Sequence, residues 1–387
     1  MLIKDGPVLQ LRLVRDPMKS IAGFFVSTFI SLALAVPLAA VAAAEEKVLN
    51  VYNWVDYIGA DTLRIFEERT GIKVTYDVFD SNDVLQGKLL AGSSGFDVVV
   101  PTSGFHARLI QAGVFMPLDH AKLPNLNNMD PILMEKLERF DPGNQYGVPY
   151  LWGTTGLGIN RQLVTKLLGE DAPVDSWALV FEPENIKKLE SCGVSFLDAY
   201  DEVFPAVLAY KGQDPTAQDA KLFESVVVPT LAAVGPHVAY FHSSKYINDL
   251  ANGDVCVALG WSGDILQASR RAAEANLPFD IDYHMPKEGT VLWFDMLAVP
   301  VDAPHPENAH KFINFLMEPE IIAAVSNQVR YANANEAANA LVDKAVLENP
   351  GIYPTKEASM KNFTLLPYPQ RLDRQGLRMW TRIKTGR

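Results

Sequence analysis

The chain has 387 residues, 48% of them apolar and 21% charged. That is the balance of an ordinary globular protein long enough for two cores. A net charge of −12 argues against a nucleic-acid partner, which calls for a basic stripe, and suits a cationic ligand. No repeat, low-complexity tract or flexible linker interrupts the chain.

The N-terminus reads as a targeting segment. Lys19 stands in the short charged stretch Met18-Lys19-Ser20, Ile21 to Leu38 is mostly apolar and uncharged, and Ala42-Ala43-Ala44 offers a small-residue cleavage site before Glu45. An export signal over residues 1–44 is expected, with a periplasmic mature protein. The alternative is a single-pass anchor, but the apolar run is short and leads straight into a charged segment. Met18 is read as the true start and residues 1–17 as a mis-assigned upstream start. Residues 1–44 hold two more basic than acidic groups, so their removal takes the net charge from −12 to −14. In an oxidising compartment the two cysteines, Cys192 and Cys256, are expected to pair. The alternative is two buried thiols, since Cys256 lies in the apolar run Val255-Cys256-Val257.

In chain order, Val48–Tyr52 is a strand. Asp61 opens a helix through Arg69 with Gly71 as its C-cap, and Ile72–Phe79 alternates as a strand. Ser81-Asn82-Asp83 caps a helix from Val84 to Ala91, Phe96–Val100 is an apolar strand, and Thr102-Ser103-Gly104 leads a helix from Phe105 to Ala112. This alternation predicts an α/β domain with a mainly parallel sheet. Leu118–Gly143 is rich in loops. Tyr146–Tyr150 and Gly156–Ile159 look like a strand crossing into a second α/β region, where Asp254–Leu259 is a strand and Asp264–Ala275 a helix. Phe279–Met285 is expected to return to the first lobe, followed by helices at Pro306–Met317 and Pro319–Val329 and the start of another at Asn333–Leu341. A last helix is expected near Arg371–Thr381. One lobe is thus assigned to residues 45–150 and 279–329, the other to 151–278 and 330–387, joined by crossing strands that imply a hinge.

Catalytic signatures are missing. Gly260-Trp261-Ser262-Gly263 places its last glycine one residue too early for a nucleophile elbow. There is no H-E-x-x-H, P-loop or C-x-x-C, and His237 and His242 lack a flanking acid for zinc. No cofactor or metal is expected. Three stretches repeat one chemistry instead: Asn53-Trp54-Val55-Asp56-Tyr57, Gly260-Trp261-Ser262-Gly263-Asp264 and Leu292-Trp293-Phe294-Asp295. Each sets a carboxylate beside aromatics at a strand end, where ligands of open α/β sheets lie. Aromatic faces with carboxylates suit an organic ammonium cation. Taken singly, each Trp can be core, and Asp56 and Asp264 can be helix caps. Together they point to a two-lobed receptor that closes on a cation.

From Val48 to Arg387 the sequence resembles the periplasmic polyamine-binding proteins of ABC transporters, nearest the putrescine-binding type. The resemblance is carried by Tyr52-Asn53-Trp54…Asp56-Tyr57-Ile58, Tyr76–Asn82, Phe96–Pro101, Ser191–Ala199, Phe241–Asp264, Pro286–Gly289 and Tyr331–Asn335. It implies a type II periplasmic-binding-protein fold with the ligand between the lobes. Trp54 and Tyr57 would wall the ligand, Asp56 would add negative charge, and Thr102 would supply a hydroxyl. Glu202, Asp264 and Asp295 would meet the ammonium groups, and Trp261, Trp293 and Tyr331 would box the methylenes. Cys192 and Cys256 match a disulfide pair of the family. Val55 stands where relatives usually carry Ser or Thr, and Trp293 where the putrescine type tends to have Phe and the spermidine type Trp. The function implied is binding without catalysis: a monomer that delivers putrescine or spermidine to an inner-membrane permease. The alternatives are a sensor that presents polyamines to a membrane receptor, or a receptor for another cation such as agmatine.

Overall fold

The computed structural model describes residues 45–386 apart from 356, 357 and 359; the export signal expected over residues 1–44 lies outside them. Among the described residues ten strands form one hydrogen-bonded sheet, eight of them on a single path. They are β1 (Val48–Trp54), β2 (Lys73–Phe79), β3 (Val98–Val99), β4 (Gly147–Asn160), β5 (Val194–Phe196), β6 (Tyr240–Phe241), β7 (Val257–Trp261), β8 (Ile281–His284), β9 (Leu292–Ala298) and β10 (Ala332–Asn333). The order is β2-β1-β3-β9-β4-β7-β5-β6, with β8 and β10 also paired to β4. β1 runs parallel to β2 and β3, and β5 parallel to β6 and β7. The strands next to β4 are antiparallel to it.

β4 is the element that divides the molecule. Its first half, Gly147–Thr154, pairs with β9, and its second half, Thr155–Asn160, pairs with β7 and β8. The core divides at the same place. Leu49, Val51, Phe66, Val98 and Phe312 belong to one buried cluster, with Val148 and Leu151 of β4. Phe181, Phe196, Phe204, Leu259 and Trp380 belong to the other, with Leu157 and Ile159 of β4. A fourteen-residue strand buried on both faces reads as a near-continuous apolar run, as it should when helices cover both sides.

Local signals hold where chemistry is local. The helix Thr62–Thr70 ends on Gly71 at φ 69°, whose N–H closes onto the Glu67 carbonyl at 2.8 Å. Ser81 Oγ accepts the Val84 N–H at 3.3 Å, capping the helix Asn82–Leu90. Asp61 precedes its helix but makes no side-chain cap; its carboxylate pairs with Arg64 at 3.0 Å.

Three expectations differ from the fold, because packing between segments far apart in the chain overrides the local pattern. The strand expected to return to the first lobe, at Phe279–Met285, is β8, and it pairs with the second half of β4, His284 opposite Leu157. The crossing back falls between β8 and β9. Asn333–Leu341 starts no helix. It holds β10 and one 3₁₀ turn, Glu336–Ala338, closed by the Ala338 N–H on Asn335 Oδ1 at 3.1 Å. β10 pairs with the first half of β4, Ala332 opposite Trp152. Tyr331, Ala338, Val346 and Ile352, assigned from sequence to the second lobe, therefore pack in the first core, while Leu372, Met379 and Trp380 pack in the second.

Cys192 and Cys256 form a disulfide, Cα atoms 5.5 Å apart, closing a separation of 64 residues.

Candidate functional site

A cleft opens where the two cores meet. Each wall residue is placed by its element. Trp54 ends β1, and its indole N–H donates to the Val100 carbonyl at 2.8 Å. Trp261 ends β7 and packs against both cores. The two indoles meet edge to face at 5.4 Å. Trp293 and Asp295 lie within β9, not in a loop before it, and the two-residue period of a strand puts both on one face. Glu202 and Asp264 fall in the first turns of the helices Tyr200–Tyr210 and Ser262–Glu274, where the helix dipole favours a carboxylate.

Each carboxylate is held by named donors. Tyr246 and Tyr331 hydroxyls donate to the two oxygens of Asp264, both at 2.7 Å. Thr102 is the residue before the helix Ser103–Gln111, but its hydroxyl caps nothing; it donates to Asp295 at 2.7 Å. Glu202 accepts from the Thr155 hydroxyl and from the Trp261 indole N–H, the latter at 3.0 Å.

The Gly-Trp-Ser-Gly stretch has a packing cause. A Cβ on Gly260 would lie 2.6 Å from the Tyr246 ring, and one on Gly263 2.4 Å from the Tyr331 ring. The two glycines let both tyrosines lie against the backbone and reach Asp264. Gly263→Ala is therefore expected to destabilise the protein by about 1–3 kcal/mol in urea unfolding, through overpacking. An unchanged midpoint would remove this account.

Burial pushes all three carboxyls up to about 7. For Asp295 the charges of Glu202 and Asp264 raise it further, and for Asp264 the charge of Asp56 does so. Their ordinary values are 3.8 for Asp and 4.5 for Glu. Between those values and 7 the folded protein keeps protons that the unfolded chain has lost. This contribution to stability is present at low pH and is lost as pH rises through about 7. The ligand-free protein should therefore melt higher at pH 5.5 than at pH 8, and Asp264→Asn should flatten that slope. An identical slope in the variant would contradict it.

Nine of the ten expected site residues line the cleft; Asp56 does not. It sits at φ 54° in the turn after β1, and its carboxylate pairs with Arg271 at 2.8 Å. Spacing from Trp54 could not reveal a partner 215 residues away. The cleft also takes in Val55, Phe79, Asp80, Ser243, Ser244 and Ile247. Phe79 and Asp80 lie at the C-terminal end of β2, and Ser243 just beyond β6, so the strand-end rule applied to every strand would have reached them. Among the described residues no group of three His, Cys, Asp or Glu side chains is placed to hold a metal. Among the described residues no Lys or Arg lines the cleft. Acceptors between aromatic faces, with no fixed cation, make a receptor for an elongated organic cation.

This build, two α/β cores sharing a crossing strand with the acceptors between them, is that of a solute receptor. Residues 62–355 match the bacterial extracellular solute-binding protein family, and the chain belongs to it. It is 52% identical over 345 residues to the putrescine-binding periplasmic protein PotF of Escherichia coli, covering 89% of this chain and 93% of that one. It is 51% identical over 364 residues to the putrescine-binding periplasmic protein SpuD of Pseudomonas aeruginosa, covering 94% and 99%. Among solved structures, the spermidine/putrescine ABC transporter substrate-binding protein PotD of Streptococcus pneumoniae superposes with a TM-score of 0.71 at 25% identity, over 88% of this chain and 99% of that one. The fold is that of the periplasmic binding proteins.

Proposed function

We propose that the mature chain is an exported, periplasmic polyamine receptor that closes on its ligand, carries out no reaction, and hands the ligand to an inner-membrane ABC permease. The observation that carries this is the set Glu202, Asp264 and Asp295: carboxylates set among indole and phenol rings, two of them buried and Glu202 half-buried, with no cation among the described residues that line the cleft. Each is only partly ionised at neutral pH in the empty cleft, and an ammonium group alongside restores its full charge. The site residues are those of the cleft, Trp54, Tyr57, Thr102, Trp261, Trp293 and Tyr331 with the three acids. Asp56, paired with Arg271, acts from outside the wall. The two cores are the two lobes, and β4 with the β8–β9 connection is the hinge. Closure follows from differential affinity: the dication binds both walls only in the closed form.

Calorimetric titration with putrescine, cadaverine, spermidine, spermine and agmatine tests the reading, and failure to bind any of them removes it. Trp293 has room because its ring lies against Gly153, where a Cβ would come within 2.9 Å. An indole there offers more face to a long methylene run than a phenyl ring. Spermidine is expected to bind within about tenfold of putrescine. A preference for putrescine above roughly a hundredfold would contradict it.

A further inference from the structure

Beyond Thr102, Glu202 and Trp293 lies a second chamber, which shares those three residues with the main cleft. Its chemistry is different. Arg108 lines it, held to Asp373 at 3.1 Å. Its far wall is apolar: Val291, Leu365, Leu366 and Pro367. Donors on its wall lack acceptors. Among the described residues the Tyr368 hydroxyl is buried without a hydrogen-bond partner in a residue 6% exposed, as is the indole N–H of Trp293 in a residue 7% exposed, and Arg108 Nε is also unpartnered. A buried donor without an acceptor is costly and is normally matched by something.

An ammonium group gains nothing from the unpartnered donors of this wall, which call for an acceptor. Asp201 on the same wall is raised well above the ordinary carboxylate range, first by burial and then by the charge of Glu202. A carbonyl oxygen with a short apolar tail satisfies all of this.

We propose that the second chamber takes the neutral acyl end of an N-acylated polyamine whose diamine part lies in the main cleft. The inference rests on the polyamine reading of that cleft. The amide carbonyl accepts from the donors of Tyr368 and its neighbours, the acyl carbons lie on Leu365, Leu366 and Pro367, and the linking methylenes pass between Thr102 and Glu202.

The test is calorimetric titration of the full mature protein with putrescine, spermidine and N1-acetylspermidine, for the wild type and for Tyr368→Phe. Wild type is expected to bind N1-acetylspermidine at least as tightly as spermidine. Tyr368→Phe is expected to weaken N1-acetylspermidine about tenfold, the worth of one hydrogen bond, and to leave putrescine unchanged. Since the hydroxyl has no partner among the described residues, its removal should not lower the melting temperature. If acetylation weakens binding a hundredfold, or if the variant treats N1-acetylspermidine as wild type does, the chamber is no acyl site, while putrescine binding still stands. An equal loss for putrescine would mean that Tyr368 acts on the cleft as a whole and would overturn the proposal. If wild type binds none of the three, the polyamine reading falls first and takes this inference with it.

Discussion

Asp264→Asn and Asp295→Asn are each expected to lower polyamine affinity by roughly tenfold to a hundredfold, because a charge-assisted hydrogen bond to an ammonium group contributes about 1.5–3 kcal/mol. Asparagine keeps the shape and an acceptor oxygen. At Asp264 the tyrosine hydroxyls can turn to suit an amide, since each can donate or accept. Neither change removes a helix cap, because Asp264 lies within its helix and Trp261 precedes it. Stability of the empty protein should not fall, and should rise above pH 7, where the wild-type carboxylates are ionised at a cost. Isothermal titration and thermal melting at two pH values check both halves. Unchanged affinity in both variants would remove the cation-site reading whatever the relatives bind.

Loss of the disulfide is expected to act on the other quantity. Cys192→Ala with Cys256→Ala should lower unfolding free energy by about 4 kcal/mol if the chain-entropy account of a 64-residue loop holds, with affinity changed less than about twofold. The reason is position. Cys192 and Cys256 lie at the N-terminal ends of β5 and β7, which run parallel, while the cleft lies at the C-terminal end of β7, at Trp261. The bridge holds the second core together from the side away from the ligand. Urea unfolding and titration of the same variant separate the effects. A tenfold loss of affinity would show that the bridge positions the site, and an unchanged unfolding midpoint would show that it restrains little. Labelling of denatured, unreduced protein should find no free thiol.

The sequence by itself determined the parts whose cause is local. Gly71 stops a helix because only a left-handed residue closes it there. The apolar runs of β1, β7 and β9 read as strands. The aromatic and acidic residues at their ends marked the cleft, because a carboxylate beside a tryptophan in an apolar context needs a partner. Tertiary structure decided everything that depends on who pairs with whom. β8 and β10 went to opposite halves of β4, which a two-residue period cannot foretell. Asp56 left the cleft for Arg271, while Tyr246, which carries no mark in its own helix, became the support of Asp264. Gly260 and Gly263 looked like a broken catalytic motif and proved to be the space two tyrosines need. Local propensity acts within a few residues, whereas a side chain's partner is set by packing between segments far apart in the chain, and only the folded core brings those together.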